Sequence, residues 1–150
     1  MSEIEIRINE SEWREFLTGP RGVLVREARR LGNRVLNAAK RRCPVDEGQL
    51  RASLAMAIDV QGPDRVVVII GSPLEYARYV HEGTGIYGPR GRPIRPVRAQ
   101  VLRFEVRNPR RTPRGRGNVV YATEVKGQRP QPFLWEALVE VIPDAVRNGT

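Results

Sequence analysis

Ile4, Ile6 and Ile8 alternate with Glu3, Glu5 and Arg7, and this period of two predicts a short, half-buried strand. Asn9 or Ser11 then offers an N-cap, and Glu12 and Glu15 stand near a helix start, where carboxylates suit the dipole. Trp13, Phe16 and Leu17 share one face of that short helix, and Thr18-Gly19-Pro20-Arg21-Gly22 interrupts it. Leu24, Ala28, Leu31, Val35 and Ala38 or Ala39 follow at spacings of four and three. They predict a long helix from about Pro20 to Arg42, roughly 30 Å in length. Its other faces carry Arg26, Arg29, Arg30, Arg34 and Arg41, with Glu27 as the one acid. A solvated or subunit-facing surface explains these arginines better than a nucleic-acid face, because their spacing matches no reading-helix motif. Pro44 stops the helix by pushing Cys43 out of the helical region.

Beyond Pro44 the pattern changes. Asp46 is placed to cap a short turn starting at Glu47, Gly48 to permit close backbone approach, and Leu50 and Leu54 to anchor the turn. Arg51 is free to pair with Asp46 or another carboxylate. Ala55 to Val60 and Arg65 to Gly71 read as strands joined by the turn residues Gln61-Gly62-Pro63-Asp64. The unbroken run Val66 to Ile70 predicts a central strand buried on both faces. Tyr76, Tyr79, Val80 and Gly83 lie at helical spacing and predict a short helix that ends at Gly83. Val101 to Val106 and Asn118 to Val125 predict a hairpin with its tip over Asn108 to Gly117. Pro132 suits the first turn of a final helix, to which Phe133, Leu134, Ala137, Leu138 and Val141 give an apolar face and which Pro143 kinks or ends.

Charge singles out one segment. The chain has 150 residues and a net charge of +9. Between Thr84 and Asn118 stand Arg90, Arg92, Arg95, Arg98, Arg103, Arg107, Arg110, Arg111, Arg114 and Arg116, against Glu105 alone. Ten bases less one acid equals the net charge of the whole chain, so everything outside the segment sums to zero. Five prolines and five glycines accompany the arginines, too little apolar content for a separate core, and predict an extended basic loop at about 84–118. Among all bases only Lys40 and Lys126 are lysines; guanidinium favours planar contacts to carboxylate or phosphate. A GC-rich coding genome explains an arginine bias equally well, though not the exclusion of acids from one segment. The length predicts a single domain, 1–150.

Candidate chemistry is sparse. The single Cys43 excludes an intrachain disulfide and a cysteine-based zinc cluster; it reads as a buried structural cysteine, with no base partner in view. His81-Glu82 lacks a second histidine and a convergent nucleophile, so Glu82 reads as an anchor for a backbone amide or an arginine. Asp46, Glu47, Glu75 and Glu82 show no metal-site spacing, which argues against a metal-dependent nuclease. No cofactor, metal or catalytic residue is expected. The N-terminus has no basic and apolar signal pattern, and Val66 to Ile70 is far short of a span of about 20 residues, so the expectation is synthesis in the cytoplasm and no membrane partner.

Three pieces in order carry a resemblance: Pro44-Val45-Asp46-x-Gly48-x-Leu50-Arg51-x-Ser53, then Tyr76-Ala77-x-Tyr79-Val80-His81-Glu82-Gly83-Thr84, then Pro130-Gln131-Pro132-Phe133-Leu134. Their order resembles the neck and tail-completion proteins that join head to tail in long-tailed bacteriophages. The family often has an aromatic between the acid and the glycine of the middle piece, where Glu82 here meets Gly83 directly. The resemblance implies an α+β subunit, 1–150, in which a long N-terminal helix and a C-terminal helix pack on an antiparallel sheet, with a long basic β-hairpin loop. It implies a non-enzymatic virion protein of the neck or tail top. Its partners would be copies of itself in a ring, expected as a hexamer with a dodecamer as the alternative, and the neighbouring neck and tail proteins. The loop arginines, Arg90, Arg92, Arg95, Arg98, Arg107, Arg110, Arg111, Arg114 and Arg116, would meet acidic partner subunits first and channel DNA second. The competing reading is a free basic nucleic-acid-binding protein, against which stand the lack of aromatics interleaved with the arginines from Arg90 to Arg116, apart from Phe104, and of a familiar nucleic-acid fold motif.

Overall fold

A computed structural model describes residues 9–45, 48–105 and 119–144. The first strand expected over Ile4 to Ile8 and the hairpin tip over 108–117 lie outside the described residues. The elements are α1 (Glu10–Thr18), α2 (Val23–Arg42), α3 (Gln49–Ser53), β1 (Ala55–Val60), β2 (Val66–Gly71), α4 (Glu75–Glu82), β3 (Leu102–Glu105), β4 (Val119–Ala122) and α5 (Phe133–Val141), with a 3-10 turn at Gly85–Tyr87. The class is α+β: a long N-terminal helix, a C-terminal helix and antiparallel two-stranded sheets. The chain divides into two compact units, one holding everything up to Leu74 together with α5, the other running from Glu75 to Pro132.

In the first unit α2 is the hub, and α1, β1, β2 and α5 all pack on it. Its buried residues are Val25, Gly32, Val35, Ala38 and Ala39, and α5 adds Phe133 and Ala137. The alanines are completely buried, and their short side chains suit two helices packed side by side. Phe133 is the largest fully buried side chain among the described residues, and its burial is worth about 1.5–3 kcal/mol. Gly32 lies under the hairpin, where an added Cβ would meet the Met56 Sδ and stand 2.8 Å from a Val68 methyl. The helix ends as Pro44 requires: Cys43 is extended (φ −58°, ψ 127°), while its N–H still donates to the Ala39 carbonyl at 2.8 Å.

β1 and β2 pair antiparallel from Ala55↔Gly71 to Val60↔Val66. The connection closes with the Gln61 N–H donating to the Arg65 carbonyl at 2.8 Å. The expectation of a β2 buried on both faces is not met. The sheet has two strands and α2 covers one face, so Ile69 on the other face is 56% exposed. A continuous β-branched run records strand propensity, not the number of layers around it.

α3 is anchored as expected, with Leu50 and the following Leu54 both buried. Asp46 lies outside the described residues, so the cap assigned to it does too. Gly48 serves a different purpose from close approach: a Cβ there would meet nothing within 4 Å, but the residue sits at φ +80°, the left-handed region where glycine costs nothing. Ser53 donates its hydroxyl to the Leu50 carbonyl (2.7 Å), which leaves Ser72 to donate to the Ser53 Oγ at 2.6 Å. Ser72 in turn accepts from the Leu74 N–H (3.1 Å), and the chain ties α3 to the end of β2.

Candidate functional site

The second unit carries the described part of the arginine segment. It opens with α4, which ends as its sequence requires: Gly83 is left-handed (φ +81°) and donates its N–H to the Tyr79 carbonyl at 3.0 Å. Glu82 accepts from the Arg78 guanidinium at 3.0 Å one helical turn back. Tyr76 and Tyr79 are exposed, and His81 is half-buried.

The segment from Thr84 is then pinned, not free. The Thr84 N–H donates to the Gln128 carbonyl and the Gln128 N–H to the Thr84 hydroxyl, both at 2.9 Å. The Ile86 N–H reaches the Lys126 carbonyl at 2.8 Å. Gly85 and Gly127 meet where these strands of chain cross; both have positive φ, and a Cβ on either would run into the opposing backbone. The Gln131 N–H donates to the Val80 carbonyl at 2.9 Å, so the middle and final sequence motifs are joined through backbone hydrogen bonds. Arg129 lies over the Tyr87 ring at 5.5 Å, and Ile94 exchanges two backbone hydrogen bonds with Val125 (2.8 and 2.9 Å). Farther on, β3 pairs with β4 from Leu102↔Ala122 to Glu105↔Val119, within the hairpin expected from the sequence.

Residues 106–118 of the segment expected as an extended basic loop lie outside the described residues, and the part before them is tied down. Up to Glu105 the described residues hold a 3-10 turn, a bridge and a strand, each hydrogen-bonded to residues 119–128. Alternating Val, Tyr and Thr after Asn118 supplied the matching edge, and backbone N–H and C=O groups that can pair do so.

Four arginines are displayed on this frame. Arg90, Arg92, Arg98 and Arg103 are exposed and make no ion pair with another described residue. Arg95 does have a partner, contrary to the expectation of arginines without acids: its Nε and Nη2 both donate to one Glu124 oxygen, at 3.2 and 3.1 Å. Glu124 lies beyond the segment in sequence, and the Ile94–Val125 bridge brings it alongside. Arg107, Arg110, Arg111, Arg114 and Arg116 lie outside the described residues. A cleft of about 380 Å³ lies beside Arg90, lined by Tyr79, Glu82, Pro89 and Ile94 among others.

The remaining motif residues belong to the first unit or its border. Pro44 is half-buried, Arg51 is exposed and Pro132 immediately precedes buried Phe133. Burial pushes the Cys43 thiol up, and the Arg51 charge partly offsets this, so the sulfur is a poor thiolate at neutral pH. Among the described residues no group of three His, Cys, Asp or Glu could hold a metal ion. No described helix is long and apolar enough to cross a membrane.

Sequence reasoning did not anticipate an ion-pair cluster between α2 and α5. Arg42 donates to Glu140 at 2.8 Å and to Glu136 at 3.2 Å, and Arg41 reaches Glu140 at 3.2 Å. The hydrogen bonds from Arg42 and then Arg41 hold the Glu140 carboxyl below the usual carboxylate range. Glu136 and Glu140 sit four apart in sequence opposite two adjacent arginines, a signal that becomes readable only once the two helices are known to be neighbours.

Residues 24–83 match the model of the HK97-gp10-like family, described as "Bacteriophage HK97-gp10, putative tail-component". The matched span covers nearly all of α2, then α3, β1, β2 and α4, and ends at the left-handed Gly83. The match spans 60 of the 150 residues, and what those residues resemble is a phage tail component. The arginine segment follows the matched span. Searches of curated proteins and of solved structures returned no match.

Proposed function

We propose that this chain is a non-enzymatic structural subunit of the bacteriophage neck, forming a ring at the head–tail junction in tail completion or head–tail connection. The observation that carries the proposal is the tail-component match over residues 24–83, which contains the first of the three ordered motifs and all but the last residue of the second. The displayed arginines support it: Arg90, Arg92 and Arg98 stand exposed and unpaired among the described residues, and suit carboxylates of neighbouring neck and tail subunits first and DNA phosphates second. The neighbours include further copies of this chain, a hexamer being the expected ring. Mass spectrometry of purified virions, paired with a phage lacking the gene, tests the proposal. The expected result is that the protein is present in virions and that its loss leaves heads and tails unjoined. Absence from mature virions, or normal joining without it, removes the proposal.

The same unpaired arginines favour a second reading, a free nucleic-acid-binding protein. Several phosphate contacts would make its affinity fall steeply with salt. A filter-binding titration decides: no binding of duplex or single-stranded DNA, or affinity unchanged between low and moderate salt, removes that reading.

A further inference from the structure

α1 contributes no buried residue to its own chain. Its start is capped by Asn9, whose Oδ1 accepts from the Ser11 N–H, and only Leu17 and Thr18 are partly covered, at its end. A nine-residue helix is marginal alone in water, so this one leans on what packs against it. Its outward face carries two aromatic rings: Trp13 is 51% and Phe16 56% exposed, stacked at 5.7 Å with planes 26° apart. Glu12 lines one surface hollow with both rings, and Arg14 is the one base among the acids Glu10, Glu12 and Glu15 of the helix. Beside Phe16 opens a cleft of about 690 Å³, lined also by Glu12, Glu15, Pro20, Val23, Arg21 and Arg26. Carboxylates beside an aromatic face fit a guanidinium, which pairs with the acid, lies on the ring and lays its aliphatic stem along apolar surface.

The complementary surface is carried by the same chain. Between Gly88 and Leu102, Arg90, Arg92 and Arg98 are exposed with no ion pair among the described residues, and Val97 beside Arg98 is 96% exposed. Arg95 is held by Glu124 and so is not on offer. One surface offers carboxylates beside two aromatic rings, the other exposed guanidinium groups beside an exposed aliphatic residue.

We propose that the Trp13–Phe16 face of α1 docks a second copy of this chain, receiving the Arg90–Arg98 segment of that copy. The proposal rests on the ring reading above for its biological setting, and identifies the surfaces such a ring would use. Because the two surfaces differ, the contact is heterologous: every copy keeps one free half of each kind, and the contact repeats into a ring or filament.

Two variants of the full chain test this by sedimentation velocity at low and high salt. One carries Glu10→Gln, Glu12→Gln and Trp13→Ala; the other carries Arg90→Gln, Arg92→Gln and Arg98→Gln. The wild type is expected to form multimers that salt weakens, and each variant to self-associate about 30-fold more weakly or worse, the loss a central aromatic or arginine contact gives. The decisive sample is an equimolar mixture of the two variants. It retains one intact pair of surfaces and is expected to stop at heterodimers. The arginine variant alters only exposed side chains, so it carries the test even if the helix variant loses α1 by circular dichroism. Multimers that persist in both variants overturn this interface while leaving the ring standing. A wild type that stays monomeric overturns the interface as well, and six-fold density in the virion neck then decides the ring separately.

Discussion

Gly32→Ala sets two effects of similar size against each other. Gly32 is in the interior of α2, where alanine is favoured over glycine by about 1 kcal/mol. Yet the new methyl would meet the Met56 Sδ and lie 2.8 Å from a Val68 Cγ, where ordinary contact is 3.4–4 Å. Met56 can retreat through its three flexible torsions. Val68 cannot: it is β-branched, stiff at χ1 and held in the β1–β2 register opposite Ile58. Overpacking of this kind costs about 1–3 kcal/mol, so the expected net is a loss of roughly 0–2 kcal/mol despite the better helix former. Urea unfolding at a fixed protein concentration would show a lower midpoint with an unchanged m-value. The sharper measurement repeats the substitution on Val68→Ala. With the obstructing methyl gone, Gly32→Ala should become neutral or stabilising by up to about 1 kcal/mol. A stabilising Gly32→Ala in the wild-type background, or an equal cost in both backgrounds, would refute the packing argument.

Gly83→Ala should destabilise the second unit by more than the roughly 1–2 kcal/mol of a left-handed alanine, because its Cβ would stand 2.9 Å from the Gln128 carbonyl oxygen and from the Pro130 nitrogen. Faster hydrogen exchange at the Thr84 and Gln131 amides is the readout, and unchanged exchange would count against it. Glu140 has a lowered folded pKa, so its pairing with Arg42 and Arg41 contributes stability above the ordinary carboxylate range and loses it as pH falls through the folded value. Wild type should therefore exceed Glu140→Gln in stability at pH 7 and converge on it in acid, and a difference constant with pH would exclude the linkage. Cys43 is buried and its thiol pKa is raised, so a thiol reagent should modify it slowly in the native protein and rapidly in urea; equal rates would contradict its burial.

Local rules were legible where neighbouring residues suffice. Asn9 as a cap, the stop at Pro44, the hairpin from Ala55 to Gly71 and the glycine stop at Gly83 each depend on a few consecutive positions, and each forms as read. The opening of α5 after Pro132 is of the same kind. Residues 24–83 carry the family match, and the stop at Pro44, the hairpin from Ala55 to Gly71 and the glycine at Gly83 all fall within them.

Layering and pairing were decided by the tertiary structure. Val66 to Ile70 reads the same whether a sheet is covered on one face or two, and only the packing of α2 leaves Ile69 outside. Gly48 and Gly32 are the same residue type, yet one answers to a backbone angle and the other to a crowded helix face. Arg95 looks like its neighbours until the Ile94–Val125 bridge brings Glu124 beside it, and Arg42 meets Glu140 across 98 positions of sequence. Sequence alone determined where charge concentrates and, to within a few residues, where α2, β1, β2 and α4 lie, because those depend on composition and on neighbours within a turn or two. Which arginines are neutralised and which are offered to a partner was decided by contacts between distant residues, and no local pattern encodes those.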